Sequence, residues 1–204
     1  MHHKRHGEID IVIGNAAARI TKDVPAAAQV AEFINTDNHG TYRLLTYFLP
    51  LLKVHARVVI VASSFGSLLH LPETLHSRFP VETMKLKDVN EVMGEYAAAV
   101  QSGTANVEGW PEWINIPSKV GQVASVMVAA RLIAEQRPTD DILINAACPG
   151  LVDTAASRPW FDDMSRAQSP DEAAVDVAWL ALLSKGSDKP QGELVQFRKA
   201  LPWR

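Results

Sequence analysis

Residues 108–137 have the sequence EGWPEWINIPSKVGQVASVMVAARLIAEQR, in which an aromatic, proline-containing loop precedes a long helical pattern. Ser118 is a suitable N-cap, so the pattern predicts a helix over residues 118–137, with small side chains along one side. Lys119 would then lie in the first helical turn, where the helix dipole disfavours a positive charge. Its position therefore indicates a functional role.

The composition is typical of one globular domain and argues against several kinds of partner. The chain has 204 residues, 47% of them hydrophobic and 21% charged, which is enough for a full core in a single domain over residues 1–204. A net charge of −3 argues against binding to nucleic acid or to an anionic membrane. No apolar run reaches the length of a membrane span.

Cysteine and histidine usage predicts neither a disulfide nor a metal site. Cys148 is the only cysteine, so an intrachain disulfide is impossible and a reducing, cytoplasmic location is expected. His2, His3 and His6 are close in sequence, but the first six residues contain no cysteine and no carboxylate. We interpret these histidines as a polar start of the chain.

Short apolar runs rich in β-branched residues alternate with helical patterns along the chain. The predicted strands are residues 9–13, 57–62, 141–147 and 193–197. The predicted helices are residues 33–53, 89–100, 118–137 and a last one that starts at Ser169-Pro170 and runs to Leu183. This alternation predicts an α/β fold, a Rossmann-like parallel sheet with flanking helices.

Small and polar residues follow the first three predicted strands. They are Gly14-Asn15-Ala16-Ala17, Ser63-Ser64 and Pro149-Gly150. The carboxyl ends of parallel strands meet at one edge of the sheet, where such folds bind their ligands. We therefore expect these residues to line one crevice.

Taken together, the order and spacing of these motifs resemble the short-chain dehydrogenase/reductase superfamily, and the resemblance covers residues 9–203. Residues 14–17 stand where the family has Asn-Asn-Ala-Gly, and residues 37–40 (DNHG) where it has Asn-x-x-Gly. Residues 57–64 match the strand that ends in the catalytic serine, which is Ser63, or Ser64 with a shift of one residue. Residues 148–154 (CPGLVDT) match the Pro-Gly loop that holds the nicotinamide end of the cofactor.

Three further features are similar to the carbonyl-reductase branch, namely a substrate-side insertion over residues 67–110, EGWP at residues 108–111, and the tail over residues 169–183. The resemblance implies NADP(H)-linked reduction of a small carbonyl substrate. It implies catalytic positions at Ser63, Asn115, Lys119 and Asp37. It implies cofactor-binding positions at Asn15, Ala16, Lys119, Pro149, Gly150, Val152 and Thr154.

The sequence departs from the family at three points. The eleven glycines nowhere form the glycine-rich turn that seats the cofactor pyrophosphate, so we expect an N-terminally truncated domain with weakened cofactor binding. The family's Tyr-x-x-x-Lys is Asn115-Ile116-Pro117-Ser118-Lys119 here, and the helix asparagine is Asp37. A carboxamide does not ionise near neutral pH, and losing a general acid typically costs on the order of 10²–10⁴ in rate.

Several alternatives remain open from the sequence. Lys119 either pairs with Asp37 and keeps its charge, or is unpaired and acts as a base. Tyr96 is either a substitute acid or a packed residue. The aromatic residues of the two neighbouring loops either line an apolar pocket or form a plain lid core, and they are Trp110, Trp113, Trp160 and Phe161.

Three functions fit these expectations. The first is an NADP(H)-linked carbonyl oxidoreductase with impaired or lost activity. The second is a non-redox isomerase, lyase or cyclase that reuses the pocket, and the third is a catalytically silent binding or partner protein. In a truncated sheet, the strand over residues 9–13 would be a bare apolar edge, so we expect a homodimer or a partner chain to cover it.

Overall fold

The computed structural model describes residues 7–204, so His2, His3 and His6 lie outside the described residues. Within this range, five strands form one sheet in the order β1-β2-β3-β4-β5. The strands are β1 (Ile9–Gly14), β2 (Leu52–Val61), β3 (Leu143–Ala147), β4 (Leu194–Gln196) and β5 (Lys199–Leu201). Strands β1 to β4 are parallel, and β5 returns antiparallel beside β4. The parallel sheet with flanking helices confirms the predicted α/β fold.

Five α-helices connect and cover these strands in residues 7–204. They are α1 (Ala26–Ile34), α2 (Gly40–Phe48), α3 (Leu86–Ser102), α4 (Asn115–Gln136) and α5 (Pro170–Ala181). The start of α5 is as predicted, because Ser169 and Glu172 form a capping box around Pro170. None of these helices is long and apolar enough to cross a membrane.

The predicted helix over residues 33–53 is wrong at both ends. The helix starts earlier, at Ala26, and a π-helical turn (Asn35–His39) separates α1 from α2. Pro50 lies in a short 3₁₀ turn (Leu49–Leu51), where its missing N–H and its ring end the helix. The chain then enters β2 at Leu52, earlier than the predicted start of this strand at Arg57.

Strand β1 is parallel, as predicted, but it is not buried. Val12 is its only buried residue, whereas Ile11 is 43% and Ile13 is 45% exposed. The reason is that β1 pairs with β2 alone, and no other strand in residues 7–204 flanks it. Neighbouring β3 is wholly buried and β2 is buried over residues 56–60, whereas Val54 near the start of β2 is 45% exposed.

Helix α4 packs against β3, α3 and the 3₁₀ turn Ser64–Gly66, and it is buried on nearly all sides. Its small residues allow this close approach. A Cβ atom on Gly121 would lie 2.5 Å from the sulfur of Met93 and 2.7 Å from the side-chain nitrogen of Asn38. On Gly66 it would lie 3.0 Å from the carbonyl oxygen of Lys119. These two glycines bring the loop after β2 and the π-helical turn close to Lys119.

A buried ionic cluster ties the start of β3 to the end of α5, away from the strand ends that bear the candidate site. The buried Arg57 donates to the Asp141 carboxylate and to the carbonyl oxygens of Leu183 and Ser184. His55 Nδ1 lies 2.8 Å from Asp141 Oδ2, and the Gly186 N–H donates to the same oxygen at 2.8 Å. Burial opposes ionisation of Asp141, but these hydrogen bonds outweigh it and lower its pKa from the ordinary value of 3.8.

The Asp141 carboxylate is therefore expected to stabilise the fold at neutral pH. Because its pKa is lower in the folded state, its contribution is present above pH 3.8 and is lost as the pH falls below that value. Asp141→Asn should lower the free energy of unfolding at pH 7 by about 3 kcal/mol, measured by urea denaturation. Asp10→Asn, which removes an exposed partner of Lys53, should cost at most about 0.5 kcal/mol. Equal losses in the two variants, or a difference that does not shrink as the pH is lowered below 3.8, would contradict this role for Asp141.

Candidate active site

A cavity of about 430 Å³ opens at the carboxyl ends of β1, β2 and β3. The loops after these three strands and the start of α4 form its walls, as the strand-end pattern predicts. All four predicted catalytic positions line it, namely Asp37, Ser63, Asn115 and Lys119, and Ser64 lines it as well. The cavity therefore gathers these polar side chains from three separate parts of the chain, namely the π-helical turn, the loop after β2 and the start of α4.

Lys119 and Asp37 form a direct ion pair in this wall. The distance from Lys119 Nζ to Asp37 Oδ2 is 2.9 Å, and the Asp37 and Lys119 side chains are 0% and 10% exposed. The other carboxylate oxygen of Asp37 accepts the N–H of Ala18 at 2.8 Å. Of the two alternatives left open by the sequence, the structure contains the paired one.

The π-helical turn Asn35–His39 explains how Asp37 comes to face the cavity. A π-helical turn inserts an extra residue into a helix and often marks a functional site. Next to Asp37, the side chain of Asn38 donates to the carbonyl oxygen of Ser118 and accepts the hydroxyl of Ser118, both at 2.8 Å. The turn is thereby fixed against α4, which carries Lys119.

Gln122 is part of this network and was not predicted. Lys119 Nζ donates to Gln122 Oε1 at 2.8 Å, and Gln122 Nε2 donates to the carbonyl oxygen of Asp37 and to the hydroxyl of Thr41, each at 3.2 Å. Gln122 follows Lys119 by three residues and Thr41 follows Asp37 by four, so each pair shares a helix face. A polar residue at that spacing in a pattern of small and apolar residues was the available signal.

The predicted start of the long helix is wrong. Helix α4 begins at Asn115, so Ser118 is a buried interior residue and not an N-cap. Lys119 therefore lies beyond the first turn, and its partner Asp37 supplies the compensating charge. The physical reason for the earlier start is that Pro117 is tolerated within the first turn of a helix, where its missing N–H has no intrahelical partner.

Asn115 and Ser63 both present polar groups to the cavity. Asn115 is the first residue of α4, is half-buried, and its side chain makes no hydrogen bond with any of residues 7–204. Ser63 caps the 3₁₀ turn Ser64–Gly66, with its Oγ accepting the N–H of Phe65 at 3.3 Å. The Ser63 hydroxyl proton remains available for a ligand.

The positions implied as cofactor-binding divide into two groups. Lys119, Gly150, Val152 and Thr154 line the cavity. Asn15, Ala16 and Pro149 do not, although their chain neighbours Ala17, Ala18, Cys148 and Gly150 do. The loop after β3 turns at Gly150 with a φ of +79°, a conformation that favours glycine.

Aromatic residues close one side of the cavity. Trp113, Trp160 and Phe161 line it, which matches the pocket alternative left open by the sequence, and the centroids of the Trp113 and Trp160 rings lie 5.6 Å apart. Trp110 does not line it, because it is buried beside Tyr96, with ring centroids 4.7 Å apart. Tyr96 is fully buried and outside the cavity wall, and burial raises the pKa of its hydroxyl, so the structure matches the packed alternative and not the substitute acid.

Cys148 also lines this cavity, but it has the properties of a buried small residue. Burial raises the pKa of its thiol, which disfavours the reactive thiolate. Within residues 7–204, no group of three or more His, Cys, Asp or Glu side chains is arranged to hold a metal ion.

Comparison with known proteins agrees with this architecture. No protein-family model matches the chain. Mouse (Mus musculus) carbonyl reductase (NADPH) 1 is 32% identical over 204 residues, covering 98% of this chain and 72% of the relative. Human (Homo sapiens) carbonyl reductase (NADPH) 1 is 31% identical with the same coverage. Rat (Rattus norvegicus) carbonyl reductase (NADPH) 3 is 32% identical, again over 98% and 72% of the two chains.

Two solved structures share the fold at lower sequence identity. Salutaridine reductase from Papaver somniferum has a TM-score of 0.72 and 21% identity, covering 94% of this chain and 74% of that one. Menthone neomenthol reductase from Mentha piperita has a TM-score of 0.66 and 22% identity, covering 94% and 71%. From the identity and coverage of the carbonyl reductases, together with the strand-end cavity, the chain belongs to the carbonyl reductase family of short-chain dehydrogenases/reductases.

Proposed function

We propose that this chain binds small carbonyl compounds in the strand-end cavity and is impaired as an NADP(H)-linked reductase. The observation that carries the proposal is Asn115. Asn115 lines the cavity together with Ser63 and Lys119. It precedes Lys119 by four residues, and the family resemblance implies a proton-donating tyrosine at this position. The relatives that support carbonyl binding are named as NADPH-dependent carbonyl reductases.

The available groups suit binding and polarising a carbonyl oxygen better than protonating it. The Ser63 hydroxyl and the Asn115 amide are both hydrogen-bond donors. Donors directed at one oxygen stabilise negative charge on it, as an oxyanion site does. Neither group ionises near neutral pH, so neither replaces a general acid.

Lys119 is proposed to act as a positive charge and not as a base. Its ammonium forms an ion pair with the Asp37 carboxylate at 2.9 Å. Two of the three ammonium N–H groups are used by Asp37 and Gln122, which leaves one for a ligand. This arrangement gives no support to a non-redox reaction that needs Lys119 as the proton acceptor.

The residues fit the nicotinamide end of NADP(H) in part. Lys119, with its one remaining donor, would hold the nicotinamide ribose, while Gly150, Val152 and Thr154 would form the wall beside it. The group would supply the hydride for carbonyl reduction when bound. The sequence contains no glycine-rich turn for the pyrophosphate, so we infer that this chain holds the phosphate half weakly.

We also infer that a second copy or a partner chain pairs with β1. Its exposed Ile11 and Ile13 form an apolar edge of the kind that other chains pair with. Size-exclusion chromatography with light scattering should show an assembly larger than one chain. A sharp monomer peak combined with a cooperative thermal transition would contradict this inference.

The function is tested by measuring catalysis and binding on the same sample. With methyl 4-acetylbenzoate as the ketone, NADPH oxidation should be on the order of 10²–10⁴ slower than with mouse carbonyl reductase (NADPH) 1 assayed alongside. The same ketone should quench tryptophan fluorescence saturably, because Trp113 and Trp160 line the cavity. A rate equal to the mouse enzyme would contradict the impairment. A folded chain whose fluorescence does not respond would favour the silent partner protein.

A further inference from the structure

One charged side chain in the cavity wall has no part in the chemistry above. Arg19 lies in the segment that follows β1, is exposed, and lines the cavity between Ala18 and Ile20. The Ala18 N–H is held by Asp37 at 2.8 Å, so this segment is fixed to the buried ion pair. The hydrogen bond from the Ala18 backbone to Asp37 therefore holds the segment that carries Arg19 beside the cavity.

The charged side chains that line the cavity sum to one net positive charge. Among the lining residues, only Arg19, Asp37 and Lys119 are charged, and the latter two neutralise each other at 2.9 Å. No carboxylate of residues 7–204 lies within 4.0 Å of the Arg19 guanidinium. Residues 1–6 contain no Asp or Glu. Arg19 thus leaves one uncompensated positive charge in the wall.

Two other cations near the same loops, Lys22 and Arg158, are already engaged. Lys22 donates to the carbonyl oxygen of Pro159 at 3.1 Å, and Arg158 pairs with Asp153 at 2.7 Å. The guanidinium of Arg19 carries five N–H donors in a planar fork that matches a carboxylate. Arg19 is therefore the donor in this wall that is suited to an anionic ligand group.

The surroundings of Arg19 favour an anion that belongs to the substrate. This cavity and an adjoining one share four apolar lining residues. They are Ile20, which follows Arg19, and Trp113, Trp160 and Phe161. An aromatic or apolar ligand body against these rings would direct its carbonyl toward Ser63 and Asn115 and a second polar group toward Arg19. Of the positions implied as cofactor-binding, Gly150, Val152 and Thr154 follow β3, whereas Asn15 and Ala16 precede Arg19 in its own segment but do not line this cavity.

We propose that Arg19 is a specificity-determining residue that selects carbonyl compounds bearing a carboxylate, such as aromatic keto acids. This rests on the proposed binding of carbonyl compounds in the same cavity. The ligand is held at two points, with its carbonyl oxygen at Ser63 and Asn115 and its carboxylate at Arg19. A charged hydrogen bond at a partly exposed site contributes about tenfold in affinity.

The test compares 4-acetylbenzoate with its methyl ester, which lacks the negative charge and carries one additional methyl group. Wild-type protein should bind the acid about tenfold more tightly than the ester, by calorimetry. Arg19→Gln should remove this preference and leave the affinity for the ester unchanged. Lys22→Gln, which removes an equal charge from a residue outside this cavity wall, should preserve the preference. The acid affinity of the wild type should fall with added salt.

Three results would overturn the proposal. If the wild type binds the ester, but its ratio of acid affinity to ester affinity is no larger than that of Arg19→Gln, then Arg19 does not select a carboxylate. If Arg19→Gln weakens NADPH binding and leaves the acid preference intact, the residue serves a cofactor phosphate. If a folded wild type binds neither compound, the proposed carbonyl-binding function fails, and this inference fails with it.

Discussion

Asn115→Tyr is expected to raise the rate of NADPH-dependent ketone reduction by about 10²-fold or more. The substitution places an ionisable hydroxyl four residues before Lys119, at the start of α4 and in the wall of the cavity. A nearby ammonium favours the ionised form of such a hydroxyl and so makes it a better proton donor near neutral pH. The rate is measured by NADPH oxidation with methyl 4-acetylbenzoate at saturating concentrations of both reactants.

Asn115→Phe is the matched control, because it has the same ring without the hydroxyl. A gain in the tyrosine variant alone assigns the effect to proton donation, whereas equal rates in the two variants contradict that assignment. Calorimetric titration of NADPH into both variants separates chemistry from binding. A tyrosine variant that binds NADPH and the ketone but remains as slow as the wild type would show that Asn115 is not the missing acid.

Lys119→Met is expected to lower the free energy of unfolding by about 3–5 kcal/mol. The substitution keeps most of the apolar stem but leaves the Asp37 carboxylate, whose side chain is fully buried, without its positive partner. It also removes the donor to Gln122 Oε1. Guanidinium chloride denaturation, followed by circular dichroism, measures the loss.

The double variant Asp37→Asn/Lys119→Met tests the cause. With neither charge present, most of the loss should be recovered, because the cost comes from an uncompensated buried charge more than from the lost contact. Lys87→Met, which affects an exposed lysine paired with Asp88 and Glu91, should change stability by less than about 1 kcal/mol. A double variant less stable than Lys119→Met would contradict a charge-balance role for the pair.

The sheet and the location of the cavity were predictable because they depend on local patterns. Apolar runs ended by Gly14, Ser63 and Gly150 mark the carboxyl ends of three parallel strands, and these ends meet in space whatever the details of the helices. The family resemblance, and not the strand-end pattern, implied that Asn115 and Lys119 lie at one site with Ser63. Each lies at or just after a boundary that sequence alone identifies to within a few residues.

The features that the sequence left open or missed depend on packing between distant segments. The Asp37–Lys119 pair joins residues 82 positions apart, and its distance follows from the π-helical turn and from Gly121, which together let two helices approach closely. The sequence left open whether Trp110 lines the cavity or packs in a core, and burial beside Tyr96 places it in the core. The exposure of β1 depends on which strands lie beside it, which its own five apolar-rich residues do not reveal.

The most direct test of the site is calorimetric titration of methyl 4-acetylbenzoate into the wild type and into Ser63→Ala/Asn115→Leu. The neutral ester isolates the carbonyl contact from any charge on the ligand. Removing both donors should weaken binding by roughly thirtyfold, since each neutral hydrogen bond contributes about 1 kcal/mol. Saturable one-to-one binding that falls by this factor in a folded double variant is the predicted result. Equal affinities in the two proteins would contradict the assignment of Ser63 and Asn115 as the carbonyl-binding groups.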